Sequence, residues 1–241
     1  MKKTCLITGG SYGIGLAIAK RIAMDCDKLL LVARDEDGLA QAKAELSRAV
    51  GGQVCALPCD LKGGSQSAKR IREWASTEVS HVDLLVLNAG YYVEGKLSEV
   101  SDQEFRENLE VNFFSSYFLI KEFLPLLRKS TTRRIVMIGS TGGYEPYPSA
   151  PTCGVSKWAL RGLAINFRQE LRSDEIGVTL ISPGATATRM WEGENVPDGR
   201  LLNPSDVAEV VATVMRLSPQ ANLDEVIITP MHGEPSHVGD C

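Results

Sequence analysis

The sequence predicts an α/β protein built on one doubly wound parallel sheet of about seven strands, with helices on both faces. Short apolar runs of strand length alternate with longer stretches of helical periodicity along almost the whole chain. The runs are apolar at nearly every position, which is typical of strands buried on both faces of a parallel sheet. The 241 residues suit one such domain, and no linker, repeat or low-complexity stretch interrupts them, so we expect a single domain over residues 1–241.

The predicted elements follow from these two periodicities in chain order. The strands are residues 4–8, 28–33, 53–58, 84–87, 134–138, 178–182 and 225–229. The helices are residues 14–25, 37–49, 65–77, 102–128, 152–173 and 205–217. Ligands of such sheets bind at the carboxyl ends of the strands, and small and polar residues collect after several of these runs.

The most informative segment is the glycine-rich turn after the first strand. Gly9, Gly13 and Gly15 follow the apolar run 4–8 and precede a helical stretch. Glycines let the backbone approach a diphosphate closely, and the helix N-terminus presents free N–H groups and the positive end of its dipole. Strand, glycine turn and helix in this order predict a dinucleotide-binding site.

Composition excludes several classes of protein. A net charge of −4 and the lack of a basic cluster argue against a nucleic-acid partner. No run approaches membrane-spanning length, so we expect a soluble, cytoplasmic protein without a membrane partner. The six cysteines form no CxxC pair and the three histidines are scattered, so no metal site is predicted. One alternative, a metal site in the tail, would use His232, His237 and Cys241.

Further residues complete a known pattern. They are Thr8-Gly9-x-x-x-Gly13-x-Gly15, Asp60, Asn88-Ala89-Gly90, Asn112, Ser140, Ser156-Lys157 and Pro183-Gly184. In order and spacing this set resembles the short-chain dehydrogenase/reductase family, from residue 4 to about residue 230. The resemblance implies a Rossmann-type fold and an NAD(P)-dependent oxidoreductase that acts on a small-molecule substrate.

The resemblance also assigns cofactor-binding roles by position. The diphosphate turn corresponds to Gly9, Ser11, Gly13, Ile14 and Gly15. Asp60 and Leu61 correspond to the residues beside adenine, and Asn88, Ala89 and Gly90 to the segment beneath the adenosine ribose. Pro183, Gly184 and Thr188 correspond to the stretch beside the nicotinamide carboxamide, and Lys157 to the residue that binds the nicotinamide ribose.

The choice between the two nicotinamide cofactors depends on the end of the second strand. The acid that selects NAD(H) would stand at Ala33, and Arg34 follows it with a guanidinium that could pair with a 2′-phosphate. These residues favour NADP(H). Asp35, about twenty residues beyond the glycines, leaves NAD(H) as the alternative.

In the family, a Ser, a Tyr, a Lys and an Asn perform the chemistry. Ser140, Lys157 and Asn112 match three of them. The Tyr position, thirteen residues after Ser140 and four before Lys157, is Cys153. A thiol is more acidic than a phenol, and we expect Lys157 to favour its thiolate, yet its sulfur stops one bond beyond Cβ and leaves a gap that only water could bridge.

The missing phenol leaves several functions open. The leading hypothesis is an NADP(H)-dependent oxidoreductase of carbonyl, alcohol or imine groups with an atypical site, in which Tyr144 or Tyr147 could supply a hydroxyl. The alternatives are a nucleotide-binding pseudoenzyme or scaffold, a site in which Cys153 is itself a nucleophile or redox-sensitive thiol, and an active-site Cys variant of an ordinary reductase. Because a scaffold needs none of Asn112, Ser140 and Lys157, their retention favours an enzyme.

Two further segments concern substrate and assembly. Residues 189–203 correspond to the family's variable lid, where Met190 and Trp191 suggest an apolar or aromatic substrate. The predicted helix after Asn112 is rich in large apolar residues: Phe113, Phe114, Tyr117, Phe118, Leu119 and Phe123. That is more than one sheet face needs, so we expect a homodimer or homotetramer.

Overall fold

The computed structural model describes residues 3–49, 52–147, 150–193, 195–197 and 199–235. Seven strands, all parallel, form one sheet in the order β3-β2-β1-β4-β5-β6-β7. They are β1 (Lys3–Thr8), β2 (Cys26–Ala33), β3 (Gln53–Pro58), β4 (Leu84–Leu87), β5 (Arg134–Ile138), β6 (Gly177–Pro183) and β7 (Glu225–Ile228). The predicted fold class and all seven predicted strands are confirmed.

The helices agree with the prediction except in one place. They are α1 (Gly13–Ile22), α2 (Glu36–Ala49), α3 (Gly64–Glu78), α4 (Asp102–Leu109), α5 (Ser115–Leu127), α6 (Pro151–Glu170) and α7 (Pro204–Arg216). The predicted single helix 102–128 is wrong in detail, because a turn of π-helix over Glu110–Phe114 separates α4 from α5. This turn lies between two stretches of helical character, so the sequence pattern alone does not mark the change in hydrogen bonding.

Two apolar layers cover the sheet, one on each face. Leu6 of β1 joins the layer formed by α3, α5 and α6, whereas its neighbours Cys5 and Ile7 join the layer formed by α1, α2 and α7. Successive side chains of a strand point to opposite faces, so every position of a central strand is buried. This accounts for the continuous apolar runs in the sequence.

The strand order determines where a ligand can bind. β1 pairs with β2 on one side and with β4 on the other, so the direction of winding reverses between β1 and β4. A crevice forms outside the carboxyl ends of the strands at such a reversal. The residues that follow β1 and β4 therefore meet at the same edge of the sheet.

Candidate active site

The turn after β1 has a backbone that favours glycine at three positions. Gly9 and Gly13 have φ angles of +66° and +53°. A Cβ built on Gly15 would lie 2.1 Å from the carbonyl oxygen of Gly9 and 2.5 Å from Nδ2 of Asn88. Tyr12, the N-cap residue of α1, makes no side-chain hydrogen bond to the helix, and the first turn holds no acidic residue. The first N–H groups of α1 thus lack a side-chain partner at the cap, which fits a site for a phosphate anion.

Asn88, directly after β4, fastens that strand to the glycine turn. Its side-chain Nδ2 donates to the carbonyl oxygens of Thr8 at 3.0 Å and of Gly9 at 3.2 Å. The backbone N–H groups of Asn88 and Ala89 both donate to Oγ1 of Thr8. The predicted Asn88-Ala89-Gly90 segment therefore lies against the predicted diphosphate turn.

Asp60 and Leu61 lie beyond the end of β3, two strands from the crevice. Asp60 is exposed, and its carboxylate accepts a hydrogen bond of 3.0 Å from the backbone N–H of Lys62. Leu61 is buried in the layer formed by α3, α5 and α6. The short 3₁₀ turn at Leu61–Gly63 thus leaves the Asp60 side chain at the surface.

After β2, the carboxylate of Asp35 accepts hydrogen bonds within the protein, whereas Arg34 is exposed. The backbone N–H of Gly38 donates to Oδ1 of Asp35 at 3.1 Å. The Tyr12 hydroxyl bonds the same carboxyl and, with the Gly38 amide, lowers the pKa of Asp35. Arg34 is exposed beside it.

Ser140 and Lys157 approach each other where β5 ends. Oγ of half-buried Ser140 accepts a hydrogen bond of 3.1 Å from the backbone N–H of Gly142. Nζ of Lys157, on α6, donates to the carbonyl oxygen of Ile138 at 2.8 Å, two residues before Ser140. A Cβ on Gly143 would lie 3.1 Å from the Lys157 carbonyl oxygen, so the turn packs directly on α6.

Asn112 joins the π-helical turn to both the β4 crevice and α6. Its Oδ1 accepts a hydrogen bond of 2.6 Å from the backbone N–H of Tyr91, and its Nδ2 lies 2.9 Å from the Tyr91 carbonyl oxygen. The same Nδ2 lies 3.0 Å from Oγ of Ser156 and 4.0 Å from Sγ of Cys153. Asn112, Cys153 and Lys157 are all buried. The structure thus brings the predicted Asn, Cys, Ser and Lys to one end of β5 and α6.

Residues 3–198 of the chain match the short chain dehydrogenase family. The chain belongs to this family. It is 30% identical over 223 residues to the dehydrogenase/reductase SDR family member 4 of Mus musculus, covering 87% of this chain and 79% of that protein.

Solved structures of short chain dehydrogenases have the same fold. An alcohol dehydrogenase of the archaeon Thermococcus sibiricus, complexed with 5-hydroxy-NADP, superposes with a TM-score of 0.89 at 28% identity, covering 98% of this chain and 100% of that chain. A metagenomic short-chain oxidoreductase in complex with NADP gives a TM-score of 0.83 at 28% identity, with coverages of 95% and 97%.

Burial controls the pKa values of Cys153 and Lys157, the two predicted site residues on α6. It raises the pKa of the Cys153 thiol, and the nearby Lys157 ammonium offsets only part of this increase. Burial likewise lowers the pKa of Lys157. Lys157 favours the thiolate of Cys153, as expected, but desolvation of the sulfur exceeds this attraction, so the net effect is a raised pKa.

The two candidate tyrosines occupy different places. The Tyr144 hydroxyl donates to Oε2 of Glu225 at 3.0 Å, and the Arg161 guanidinium lies 4.3 Å from the centre of the Tyr144 ring. These contacts direct Tyr144 toward β7. Tyr147 lies instead between the Ser140 turn and α6, since added Cβ atoms on Gly142 and Gly154 would stand 3.3 Å and 3.4 Å from its Cβ.

The segment after β6 returns to the glycine turn. The backbone N–H of Gly184 donates to the carbonyl oxygen of Ile228 at 2.8 Å, continuing the pairing of β6 with β7 beyond Pro183. A Cβ on Gly13 would lie 3.1 Å from Cγ2 of Thr188. Of the predicted residues in this segment, Thr188 therefore reaches the predicted diphosphate turn, whereas Gly184 lies against β7.

Sequence reasoning missed several residues that shape this site. Glu234 accepts a hydrogen bond of 2.8 Å from the backbone N–H of Ala185, and its carboxylate lies against Gly184. Tyr12 and Arg189 form a stacked pair beside the turn. A single glutamate after β7 and an Arg-Tyr pair separated by most of the chain leave no periodic signal, so only the structure reveals them.

Other features of the described chain lie outside the site. A cavity of about 660 Å³ opens among Lys3, Asp25, Arg134 and Arg216, none of which is a predicted site residue. Among the described residues no group of three or more His, Cys, Asp or Glu could hold a metal ion, and His237 and Cys241 lie outside them. No helix in the described ranges is long and apolar enough to cross a membrane.

Proposed function

We propose that this chain is an NADP(H)-dependent oxidoreductase that transfers hydride to or from a carbonyl, alcohol or imine substrate, with Cys153 in place of the usual tyrosine. The observation that carries the proposal is that Asn112 lies beside Cys153, while Lys157 of the same helix as Cys153 reaches the end of β5, two residues before Ser140. Lys157 is buried and forms no ion pair with a carboxylate among the described residues, which supports a functional role for its amino group.

The cofactor fits the residues present. Gly9, Gly13 and Gly15 with the open N-terminus of α1 would hold the diphosphate, and Lys157 the nicotinamide ribose. When bound, NADP(H) donates or accepts a hydride ion. Complexes of related structures with NADP support this choice. The engagement of Asp35 by Gly38 and Tyr12 supports it too, because that carboxylate is occupied at the place where an NAD(H)-selecting acid would bind ribose hydroxyls.

Ser140, Cys153 and Lys157 would have different roles around the substrate. Ser140 would hold the substrate oxygen through its hydroxyl. Cys153 keeps its proton at neutral pH because burial raises its pKa, and its sulfur is too short to reach where a phenol oxygen would stand. A proton supplied from the thiol or from Lys157 would therefore pass through a bridging water. Substrates that need little acid assistance should react best.

The second candidate function is a nucleotide-binding pseudoenzyme. Its supporting observation is that Asn112 and Lys157 already have partners within the protein, namely Tyr91, Ser156 and Ile138. These contacts could serve the fold alone. This candidate predicts binding of NADPH without turnover.

We further propose that residues 1–241 act as one nucleotide-binding domain and that the chain forms a homodimer or homotetramer. The support for assembly is a set of partly exposed apolar side chains on neighbouring helices. Phe114 is 39% exposed beside α5, and Val155, Trp158 and Ile165 of α6 are 40%, 49% and 44% exposed. Tyr117 of α5 and Phe167 of α6 have ring centres 6.2 Å apart, which joins the two helices into one surface.

The test combines binding with turnover. NADPH and NADH are titrated by intrinsic fluorescence, and NADPH oxidation is then followed over a panel of activated carbonyl and imine compounds. We expect tighter binding of NADPH than of NADH, and turnover that is lost in Ser140→Ala and Lys157→Ala. Lys96→Ala, an exposed lysine in a surface ion pair, is the matched control and should behave as wild type. No binding of NADPH, or full activity in Lys157→Ala, would overturn the proposal.

A further inference from the structure

We propose that Arg189 is a second specificity residue for the cofactor, which binds the 2′-phosphate of NADP(H) together with Arg34 and is held in place by the ring of Tyr12. The inference rests on the proposed function. It assigns a role to a residue of the segment after β6, which the sequence connected only with the substrate.

The first observation is a close stack. The guanidinium carbon of Arg189 lies 3.3 Å from the centre of the Tyr12 ring. Arg189 begins the short 3₁₀ turn Arg189–Trp191, and its side chain is 58% exposed. Its ion pair with Glu192 spans 4.0 Å between two exposed side chains, a geometry that contributes little. The N–H groups at the rim of the guanidinium are therefore available to an anion from solvent.

The second observation is that Tyr12 is itself fixed to the end of β2. Its hydroxyl bonds the Asp35 carboxyl. The hydroxyl also lies so close to Gly38 that a Cβ there would stand 2.0 Å from its oxygen. The Tyr12 ring thus extends from the glycine turn to the start of α2. An arginine stacked on this ring therefore lies near the end of β2, where Arg34 follows the strand.

The third observation is the local balance of charge. Arg34 and Arg189 supply two cations. The acids near them are Asp35, the exposed Glu36 and Asp37 in the first turn of α2, and Glu192, which pairs loosely with Arg189. The Asp35 carboxyl already accepts hydrogen bonds from Gly38 and Tyr12, and the charge of Arg189 contributes to its lowered pKa. A phosphate monoester carries between one and two negative charges at neutral pH and offers three acceptor oxygens. Two forked guanidinium groups match those oxygens better than one.

The stack also explains why a flexible arginine could contribute at an exposed position. An unrestrained arginine loses side-chain entropy when it binds an anion. Stacking on an aromatic face orients the guanidinium beforehand through a cation–π contact. Tyr12 therefore acts as a positioning residue for Arg189 and need not touch the phosphate.

The experiment uses two fragments that differ only in the 2′-phosphate, adenosine 2′,5′-bisphosphate and 5′-AMP. Their dissociation constants are measured by calorimetry on the full chain, for wild type, Arg189→Ala, Tyr12→Leu and the control Arg172→Ala. Arg172 is an exposed arginine in the 3₁₀ turn Leu171–Asp174, which leads into the amino end of β6, away from the strand ends that form the site. NADPH and NADH are titrated against the same proteins.

We expect Arg189→Ala to weaken the bisphosphate about 10- to 100-fold, the usual range for a hydrogen-bonded charge. Binding of 5′-AMP should change by less than about twofold. Tyr12→Leu should produce a smaller loss, again confined to the ligand with the 2′-phosphate, and Arg172→Ala none. The same variants should weaken the binding of NADPH, which carries the 2′-phosphate, and leave the binding of NADH nearly unchanged.

Equal losses for both fragments, or no loss for either, would overturn the role of Arg189 and leave the proposed function intact. A wild-type protein that binds neither the bisphosphate nor NADPH would overturn the proposed function and this inference with it. The two failures are therefore distinguished by the wild-type titration alone.

Discussion

Cys153 and Lys157 lie one helical turn apart on α6, and burial shifts their pKa values in opposite directions. It raises the pKa of the thiol and lowers the pKa of the ammonium. Both shifts favour the neutral form, because a charge loses its hydration when the surrounding protein excludes water. At neutral pH the thiol therefore keeps its proton, and the pair differs from a thiolate–ammonium ion pair.

This difference gives a prediction about reactivity. The thiolate is the reactive form of cysteine. Alkylation of Cys153 by iodoacetamide should therefore be slow at pH 7, and its rate should still increase with pH above 9.0, the ordinary pKa of a thiol. Peptide mass spectrometry after timed alkylation between pH 6 and 10 measures the rate at this one cysteine. The exposed thiol of glutathione is the control. A rate at Cys153 that has reached its plateau by pH 7 would contradict the account.

Among the elements, the glycine turn and the π-helical turn do most to position the site. The π-helical turn over Glu110–Phe114 places Asn112 so that one amide reaches Tyr91 on the β4 side and Ser156 on α6. Helical turns of this kind often occur at functional sites. The glycine turn depends on close approach, since Gly15 has no room for a Cβ.

The second prediction compares two glycines in helices. Gly15→Ala should lower the free energy of unfolding by about 1–3 kcal/mol, because its methyl group would overlap the Gly9 carbonyl oxygen, and should weaken NADPH binding. Gly162 of α6 has nothing within 4 Å in one chain. In the Trp158→Glu background, where no second copy is expected to cover α6, Gly162→Ala should stabilise the protein by about 0.4–1 kcal/mol. Urea unfolding measures both. Equal stabilities of the two variants would refute the packing argument.

The elements also show what the sequence could and could not predict. Strands such as Leu84–Leu87 were predictable because a strand buried on both faces must be apolar throughout. The π-helical turn was not, since it lies between two stretches of helical character and the sequence carries no separate signal for it. The positions of Cys153 and Lys157 followed from motif spacing, but the direction of the Cys153 pKa shift depends on burial, which spacing does not contain. The hydrogen bonding of the Asp35 carboxyl likewise depends on Tyr12, which lies in a separate turn of the chain.

At the scale of the whole molecule, the strand order explains why residues far apart in the chain form one site. The reversal between β1 and β4 brings residues 8–15 and 88–90 together, and β5, α6 and the segment after β6 complete the same edge. The opposite face of α6 presents Val155, Trp158 and Ile165 to solvent within one chain. An apolar surface of this kind is expected to be covered by a second copy.

The third prediction concerns this assembly. Light scattering at micromolar concentration should give two or four times the chain mass of 26.2 kDa. Trp158→Glu places a charge in the proposed interface and should shift the protein toward monomer. Met24→Glu changes an apolar residue that is 66% exposed outside α5 and α6, and should leave the mass unaltered. A wild-type species of 26.2 kDa would contradict the proposal.

The central claim is that an otherwise complete reductase site lacks its phenol, and restoring the phenol tests it most directly. The measurement is kcat for carbonyl reduction by Cys153→Tyr, with Cys153→Ala as the matched variant and NADPH affinity as the check that both are folded. Since Ser140, Lys157 and Asn112 are already in place, we predict a rise of about 10²–10⁴-fold in Cys153→Tyr, the usual contribution of one general acid. Cys153→Ala should stay at or below wild type. A Cys153→Tyr protein that binds NADPH as wild type does and yet gains no activity would contradict the account.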